Sequence, residues 1–287
     1  GSASDTEMLD PELMEMETGA AQTGVSSVAV QSIKQWSDRA NRPASWQGKI
    51  YGLVVHTSGS SIPKQAEKDN VSPTKWAIDY YKNSRSCQYI NGWGGIEGGD
   101  LVQIANESFE AWGVGISNDK EPQKDQRRSI QAGRFEMDLP PVLVKLWRKR
   151  WPSHKHSQEL LPGTKTANSC YVHVECLPCV YHGQKRGLTI GAPPLQTRPK
   201  LRFTKAQHGA VAHLAVDIAR RNGWPMSETW WRSPRLLGHE DLTPISRHDK
   251  HGGWDPGYLR EEPYFDWDYV YSVIESILQG GGSTPTS

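Results

Sequence analysis

The sequence predicts an α/β fold, a mixed central β-sheet flanked by helices, and three stretches carry that expectation. "KIYGLVVHTSG" holds an uninterrupted apolar run of strand length, Ile50 to Val55, that stops at His56 and a polar turn. "SCYVHVECLP" alternates with period two, so Cys170, Val172, Val174 and Cys176 face one way while Tyr171, His173 and Glu175 face the other. "FTKAQHGAVAHLAVDIARRNG" is a helix with both ends written in. Thr204 and Gln207 have capping-box spacing, Val211, Leu214 and Ile218 form the apolar stripe, and Gly223 closes it.

The remaining elements follow in order. Residues 1–24 are acidic and rich in Met and small residues, with no sustained apolar period, and are expected to be flexible. One domain is expected over residues 25–279. It opens with a helix in "VSSVAVQSIKQWSDRAN" that sets Val28, Ile33 and Trp36 near one face. After the His56 strand, "SPTKWAIDYYKNS" predicts a helix capped by Ser72, with Pro73 at its first position and Trp76, Ala77 and Tyr80 at helical spacing. "CQYIN" and "DLVQIA" read as two short strands around the glycine-rich "GWGGIEGG". Residues 117–168 are polar and basic apart from one helix in "PPVLVKLWRKRW", and read as a long insertion whose apolar content cannot build its own core. "FDWDYVYSVIESIL" predicts a last amphipathic helix, and residues 280–287 a disordered tail.

Composition excludes several functional classes. Lys and Arg (33) nearly balance Asp and Glu (32), so no strong field draws the chain to nucleic acid or an anionic membrane. No apolar run approaches the roughly 20 residues of a membrane span, and no signal peptide is visible; the leading Gly-Ser-Ala-Ser reads as a cloning remnant. Twelve Trp against four Phe suit a core but also suit stacking on sugar rings, a weak pointer to a carbohydrate-containing ligand.

The residues that point to chemistry are two strand-end histidines and a loop aspartate. His56 closes "LVVH", His239 closes "LLGH", and Asp255 arrives sixteen residues later in "WDPG". Taken singly, each histidine is an ordinary satisfied strand-end residue. Together with Asp255 they match a catalytic zinc site, two imidazoles and a carboxylate with a fourth position left for water, and Glu175 supplies the missing base. Asp249 is a reserve candidate for the third ligand.

Five segments in order across residues 50–267 resemble the zinc-dependent N-acetylmuramoyl-L-alanine amidase family, whose fold is shared with the peptidoglycan recognition proteins. "YGLVVHTSG" resembles its first-ligand strand, and "GGDLVQIANESFEAWGVG" its hairpin running on to Ala-Trp-His-Ala-Gly. "NSCYVHVECLP" resembles the strand Asn-x-x-x-Ile-Gly-Ile-Glu, and "FTKAQHGAVAHLAVDIARRNG" the helix opening Thr-x-x-Gln. "LLGHEDLTP" with "WDPG" resembles the pair Gly-His-x-Asp-x-x-Pro and Asp-Pro-Gly, and "YFDW" stands where the family has Phe-Pro-Trp. The resemblance implies His56, His239 and Asp255 as ligands of Zn2+ and Glu175 as acid/base. It also implies cleavage of the amide between N-acetylmuramic acid and L-alanine of the stem peptide.

Three family positions differ. The histidine of Ala-Trp-His-Ala-Gly is Gly113 here, and a hairpin-strand histidine is Gln88. The lysine two residues before the ligand aspartate is Gly253, in a loop that is longer than usual. Lys250 is expected to supply the oxyanion donor in its place, with His251 second and Arg247 and His248 also within the loop.

The other signals have plainer readings. Cys176-Leu-Pro-Cys179, with Cys170 near, is compatible with a disulfide, a redox pair or half a zinc knuckle, but plain buried thiols fit best. His154 and His156 fall in the basic insertion and are expected in solvent; His208 and His213 are expected to pack or face solvent on their helix. His173 shares a face with Glu175 and could orient the base or the substrate. Trp230 and Trp231 divide evenly between lining a sugar cleft and covering the core, and "KLWRKRW" is expected to be a solvated face or to meet stem-peptide carboxylates. The implied partner is peptidoglycan, glycan strand and stem peptide alike, met in the periplasm or outside the cell after release or delivery. A phage-type lysis enzyme and a delivered antibacterial toxin both fit, the latter with a cognate inhibitor protein. The alternative is a recognition module of the same fold that binds peptidoglycan without cleaving it.

Overall fold

The computed structural model describes residues 24, 26, 28, 50–58, 61–84, 86–93, 101–114, 145, 148–152, 167–179, 202–242, 255–257 and 264–280. In chain order the elements are β1 (Gly52–Thr57), α1 (Ser61–Lys68), α2 (Pro73–Ser84), β2 (Tyr89–Asn91), β3 (Leu101–Gln103), the one-turn α3 (Ala167–Cys170), β4 (Tyr171–Cys176), α4 (Lys205–Arg221), β5 (Leu236–Gly238), the short α5 (His239–Leu242) and α6 (Trp267–Gly280). A 3-10 turn covers Trp230–Arg232.

The strands form one mixed five-stranded sheet in the order β3-β2-β4-β1-β5. β1 pairs parallel with both β4 and β5, β2 pairs parallel with β4, and only β3 runs antiparallel, as a partner of β2. All six residues of β1 are buried, the condition of a parallel strand covered on both faces, which is why it reads as a continuous apolar run. The strand extends to Thr57, two residues further than the apolar run, because its pairing with β4 continues through His56↔Glu175 and Thr57↔Cys176. His56 therefore lies inside the strand rather than beyond it.

α4 and α6 cover one face of the sheet. Leu53, Val55, Val172, Val174 and Cys176 meet Val211, Leu214, Ala215 and Ile218 of α4, with Val270, Tyr271 and Ile274 of α6 completing that core. Both ends of α4 are fixed as its sequence prescribes. The Thr204 side chain accepts from the Gln207 N–H at 3.1 Å, and Gln207 Oε1 accepts from the Thr204 N–H at 2.9 Å. At the other end Gly223 takes φ +64°, so that its N–H reaches Arg220 O and the N–H of Trp224 reaches Ala219 O.

The opposite face is divided. Ile90 and Val102 pack with Ala77 and Tyr81 of α2, while Val54, Tyr171 and Leu237 pack with Trp151 and Leu242. His56, His173 and Glu175 share this face by strand alternation and belong to neither cluster.

Several expectations are corrected here. α1 occupies part of what reads as a polar turn; only Ile62 and Ala66 of its eight residues are buried hydrophobics, too few to show a helical period. On α2 the buried positions are Pro73, Thr74, Ala77 and Tyr81, while Tyr80 is 50 % exposed. Cys170 belongs to α3 and packs with Val54 and Tyr171, not with Val172 and Val174. Gly280, expected in the tail, ends α6. Residues 1–23, Ile33 and Trp36, most of the expected insertion, and residues 281–287 lie outside the described residues.

Candidate metal centre

The sheet register assembles the site from three separate parts of the chain. His56 is the fifth residue of β1, and the parallel pairing Val55↔Gly238 carries the neighbouring chain directly into His239 at the start of α5. The two imidazoles consequently come together at the C-terminal ends of adjacent strands, the end of an α/β sheet where ligands collect. Their Nδ1 atoms face each other at 3.2 Å.

Asp255 reaches the same point because β5 ends in glycine. A Cβ at Gly238 would lie 2.6 Å from Pro256 Cδ, so only glycine lets the Asp255-Pro256-Gly257 segment lie against the strand. Backbone bonding holds it there, with the Glu240 N–H donating to Asp255 O at 2.8 Å. The Thr57 N–H donates to Asp255 Oδ1 at 2.9 Å, which orients the carboxylate and leaves Oδ2 2.9 Å from His239 Nδ1. His56 Nδ1 is 4.0 Å from Oδ1. All three residues are buried, and one ligand atom of each lies within 4.8 Å of the others.

The donor set fits a metal ion. Two imidazole nitrogens and a carboxylate oxygen lie within 4.8 Å of one another, and each is a first-row transition-metal ligand. Without a cation, two facing imidazole nitrogens need a proton between them. With one, both lone pairs are used. This group of His56, His239 and Asp255 could therefore hold a metal ion.

Beneath α5 a second buried cluster fixes the histidine-bearing turn. Asp241 Oδ2 accepts the Gly238 N–H at 2.7 Å, and Arg150 Nη1 donates to both Asp241 oxygens at 2.7 and 2.6 Å. Arg150 also lies over the rings of Trp151 and Trp267. Asp241 holds the guanidinium above its ordinary pKa despite burial. The basic run is thus not a uniformly solvated face: Lys145, Arg148 and Lys149 are exposed, but Arg150 is built into the core.

Glu175 lies beside His56 on β4, their Cα atoms paired in register, and is buried with it. Tyr81 and Cys87 lie near enough to feel the charge of this carboxylate. Burial pushes both well above their usual pKa, with the Glu175 charge adding to each, so they stay protonated beside it. His173, two residues before Glu175, places its Nδ1 2.8 Å from His56 Nε2. The face it shares with Glu175 was legible in the strand alternation; its contact with the metal-ligand candidate was not.

The remaining sequence candidates resolve differently. Trp230 and Trp231 are buried in the α4–α6 core and cover it rather than line a cleft. The four cysteines are buried thiols, and burial also drives Cys176 far up. His208 is fully buried, its Nδ1 donating to Thr204 O at 2.7 Å while Nε2 accepts the Asp266 N–H at 2.9 Å. Lys250, Arg247, His248, Asp249, His251, Gly253, His154 and His156 lie outside the described residues.

Fold and site together define an α/β protein with a buried two-histidine, one-aspartate group at the strand ends. Comparison with protein-family models, with curated proteins and with solved structures finds no significant match. No helix of the described residues is long and apolar enough to cross a membrane.

Proposed function

We propose that this chain is a zinc-dependent amidase of the peptidoglycan type, cleaving the amide between N-acetylmuramic acid and the L-alanine of the stem peptide. The observation that carries the reading is the convergence of His56, His239 and Asp255 at the strand ends, with Glu175 in register beside His56. A mixed sheet with its central strands parallel and helices on its flanks is compatible with the amidase and peptidoglycan-recognition fold.

His56, His239 and Asp255 would hold the zinc. When bound, it supplies Lewis-acid polarisation of the amide carbonyl and acidifies water. Thr57 and the Arg150–Asp241 pair keep the ligand carboxylate and the His239 turn in place. Glu175 acts as the proton carrier, taking a proton from the attacking water and delivering it to the departing L-alanine nitrogen. Tyr81 and Cys87 remain neutral near it, so neither adds a further anion beside the carboxylate. The wall substrate places the activity in the periplasm or outside the cell, after release or delivery.

Mass analysis of muropeptides after digestion of purified peptidoglycan tests the reading. The expected products are free stem peptides beginning with L-alanine and glycan carrying a free lactyl carboxylate. Zinc-loaded protein that binds the wall without producing them would establish the recognition module instead.

A further inference from the structure

We propose that His173 is a positioning residue for the metal centre: it accepts the Nε2 proton of His56 and so holds His56 in the tautomer whose Nδ1 lone pair faces His239 and Asp255. The inference rests on the metal reading of those three residues and adds a fourth to their machinery. His56 presents its two ring nitrogens to different neighbours. Nδ1 faces His239 Nδ1 at 3.2 Å and Asp255 Oδ1 at 4.0 Å, whereas Nε2 faces His173 Nδ1 at 2.8 Å.

Proton counting makes the consequence specific. A neutral imidazole carries one ring proton, so a bare Nδ1 on His56 requires a protonated Nε2, and that N–H points at His173. His173 must then present a bare Nδ1 and carry its own proton on Nε2. In the reverse arrangement His173 Nδ1 donates, the His56 proton moves to Nδ1, and it occupies the place of the ion. Only the first arrangement binds a cation. An acceptor on the far nitrogen of a metal-bound histidine fixes its tautomer and ring orientation and raises its basicity.

The fold holds His173 in that role. It is fully buried on the central strand β4, paired with Val54, two positions behind the His56↔Glu175 pair on the same face. Its backbone N–H donates to Gln88 Oε1 at 2.8 Å, and Gln88 Nε2 donates in turn to Phe109 O at 2.9 Å. Room for the ring comes from Gly113. A Cβ there would lie 2.4 Å from His173 Nδ1 and 2.9 Å from its Cγ, so the imidazole fills the space that any side chain at 113 would need. The motifs quoted above for the amidase family carry the reverse pair, a histidine at the position of Gly113 and a glycine at that of His173.

The test combines zinc affinity, measured by competition with a chelator, and long-range proton–nitrogen NMR of the imidazoles in zinc-loaded wild type. The spectrum is expected to show His56 protonated at Nε2 and metal-bound through Nδ1. His173→Leu, which removes the acceptor, is expected to weaken zinc binding about 10–100-fold. His173→Asn, whose Oδ1 can accept the same proton, is expected to restore most of it. Wild-type affinity in a folded His173→Leu variant overturns the inference while leaving the metal centre standing. So does a His56 proton on Nδ1 in the loaded protein, a readout that needs no variant to fold. Failure of wild type to bind zinc overturns both this inference and the reading beneath it.

Discussion

Two buried polar groups on opposite faces of the sheet are built by opposite rules. On the α4 side, Arg221 donates to both oxygens of Glu107 at 2.8 and 2.7 Å and to Asp217 at 3.0 Å, Tyr89 donates to Glu107 at 2.5 Å, and Ser26 donates to Asp217 at 2.8 Å. Every contact there joins an N–H or O–H to an oxygen, so the group closes on itself. At the strand ends, His56, His239 and Asp255 bring one potential metal-ligand atom each within 4.8 Å of the others. The first arrangement ties β2, α4 and the segment after β3 together. The second has the form of a receptacle. Burial of charged and polar side chains is therefore not by itself a sign of function; what separates the two is that one group pairs a guanidinium with carboxylates while the other gathers three potential metal-ligand atoms.

The most severe way to break the comparison is to remove a ligand candidate. His239→Ala and Asp255→Ala should each take zinc from stoichiometric to trace by elemental analysis, with the far-ultraviolet dichroism of the fold retained. Stoichiometric metal in both variants would leave the receptacle without a basis. Arg221→Ala should act in the reverse sense, leaving zinc per folded chain unchanged but costing about 3–5 kcal/mol in denaturant unfolding, because Glu107 and Asp217 remain buried without their cation. A loss below about 1 kcal/mol, the range of exposed pairs, would mean that the network is more hydrated than its burial implies.

Glu175→Gln separates holding from reacting. The variant should keep stoichiometric zinc and slow peptidoglycan hydrolysis by about 10²-fold or more. Unchanged turnover would remove Glu175 from the mechanism.

The last expected effect is alkaline and belongs to the closed network and the core. Burial raises the phenols of Tyr89 and Tyr171 and the thiols of Cys87 and Cys176 above their ordinary values. The folded chain then keeps protons that the unfolded chain releases near its unfolded values of 9.0 for Cys and 10.0 for Tyr. Stability should be whole below that window and fall as pH rises above it, by about 1.4 kcal/mol per retained proton per pH unit. Unfolding midpoints at pH 7, 9, 10 and 11 check the sign, and Tyr89→Phe should flatten the slope above pH 10 by one proton's share.

Local physics explains what could be read along the chain. The capping box of Thr204 and Gln207, the closing Gly223, the alternation of Tyr171, His173 and Glu175, and the buried run of β1 all depend on neighbours a few residues apart. The ligand candidates were legible for a related reason. A histidine at the end of an apolar strand is a local pattern, and two such strands plus a loop aspartate imply convergence at one sheet end. Strand pairing and packing decided the rest. The register His56↔Glu175 and Val54↔His173 joins residues more than a hundred positions apart, and no spacing in the sequence states it. The same holds for Arg150 under the His239 turn, for Gly113 making room for His173, and for Trp230 and Trp231 turning into the core. A side chain's partner across the sheet is fixed by which strands lie side by side, so the sequence determined the donors of this centre, and only the tertiary structure decided how each is held.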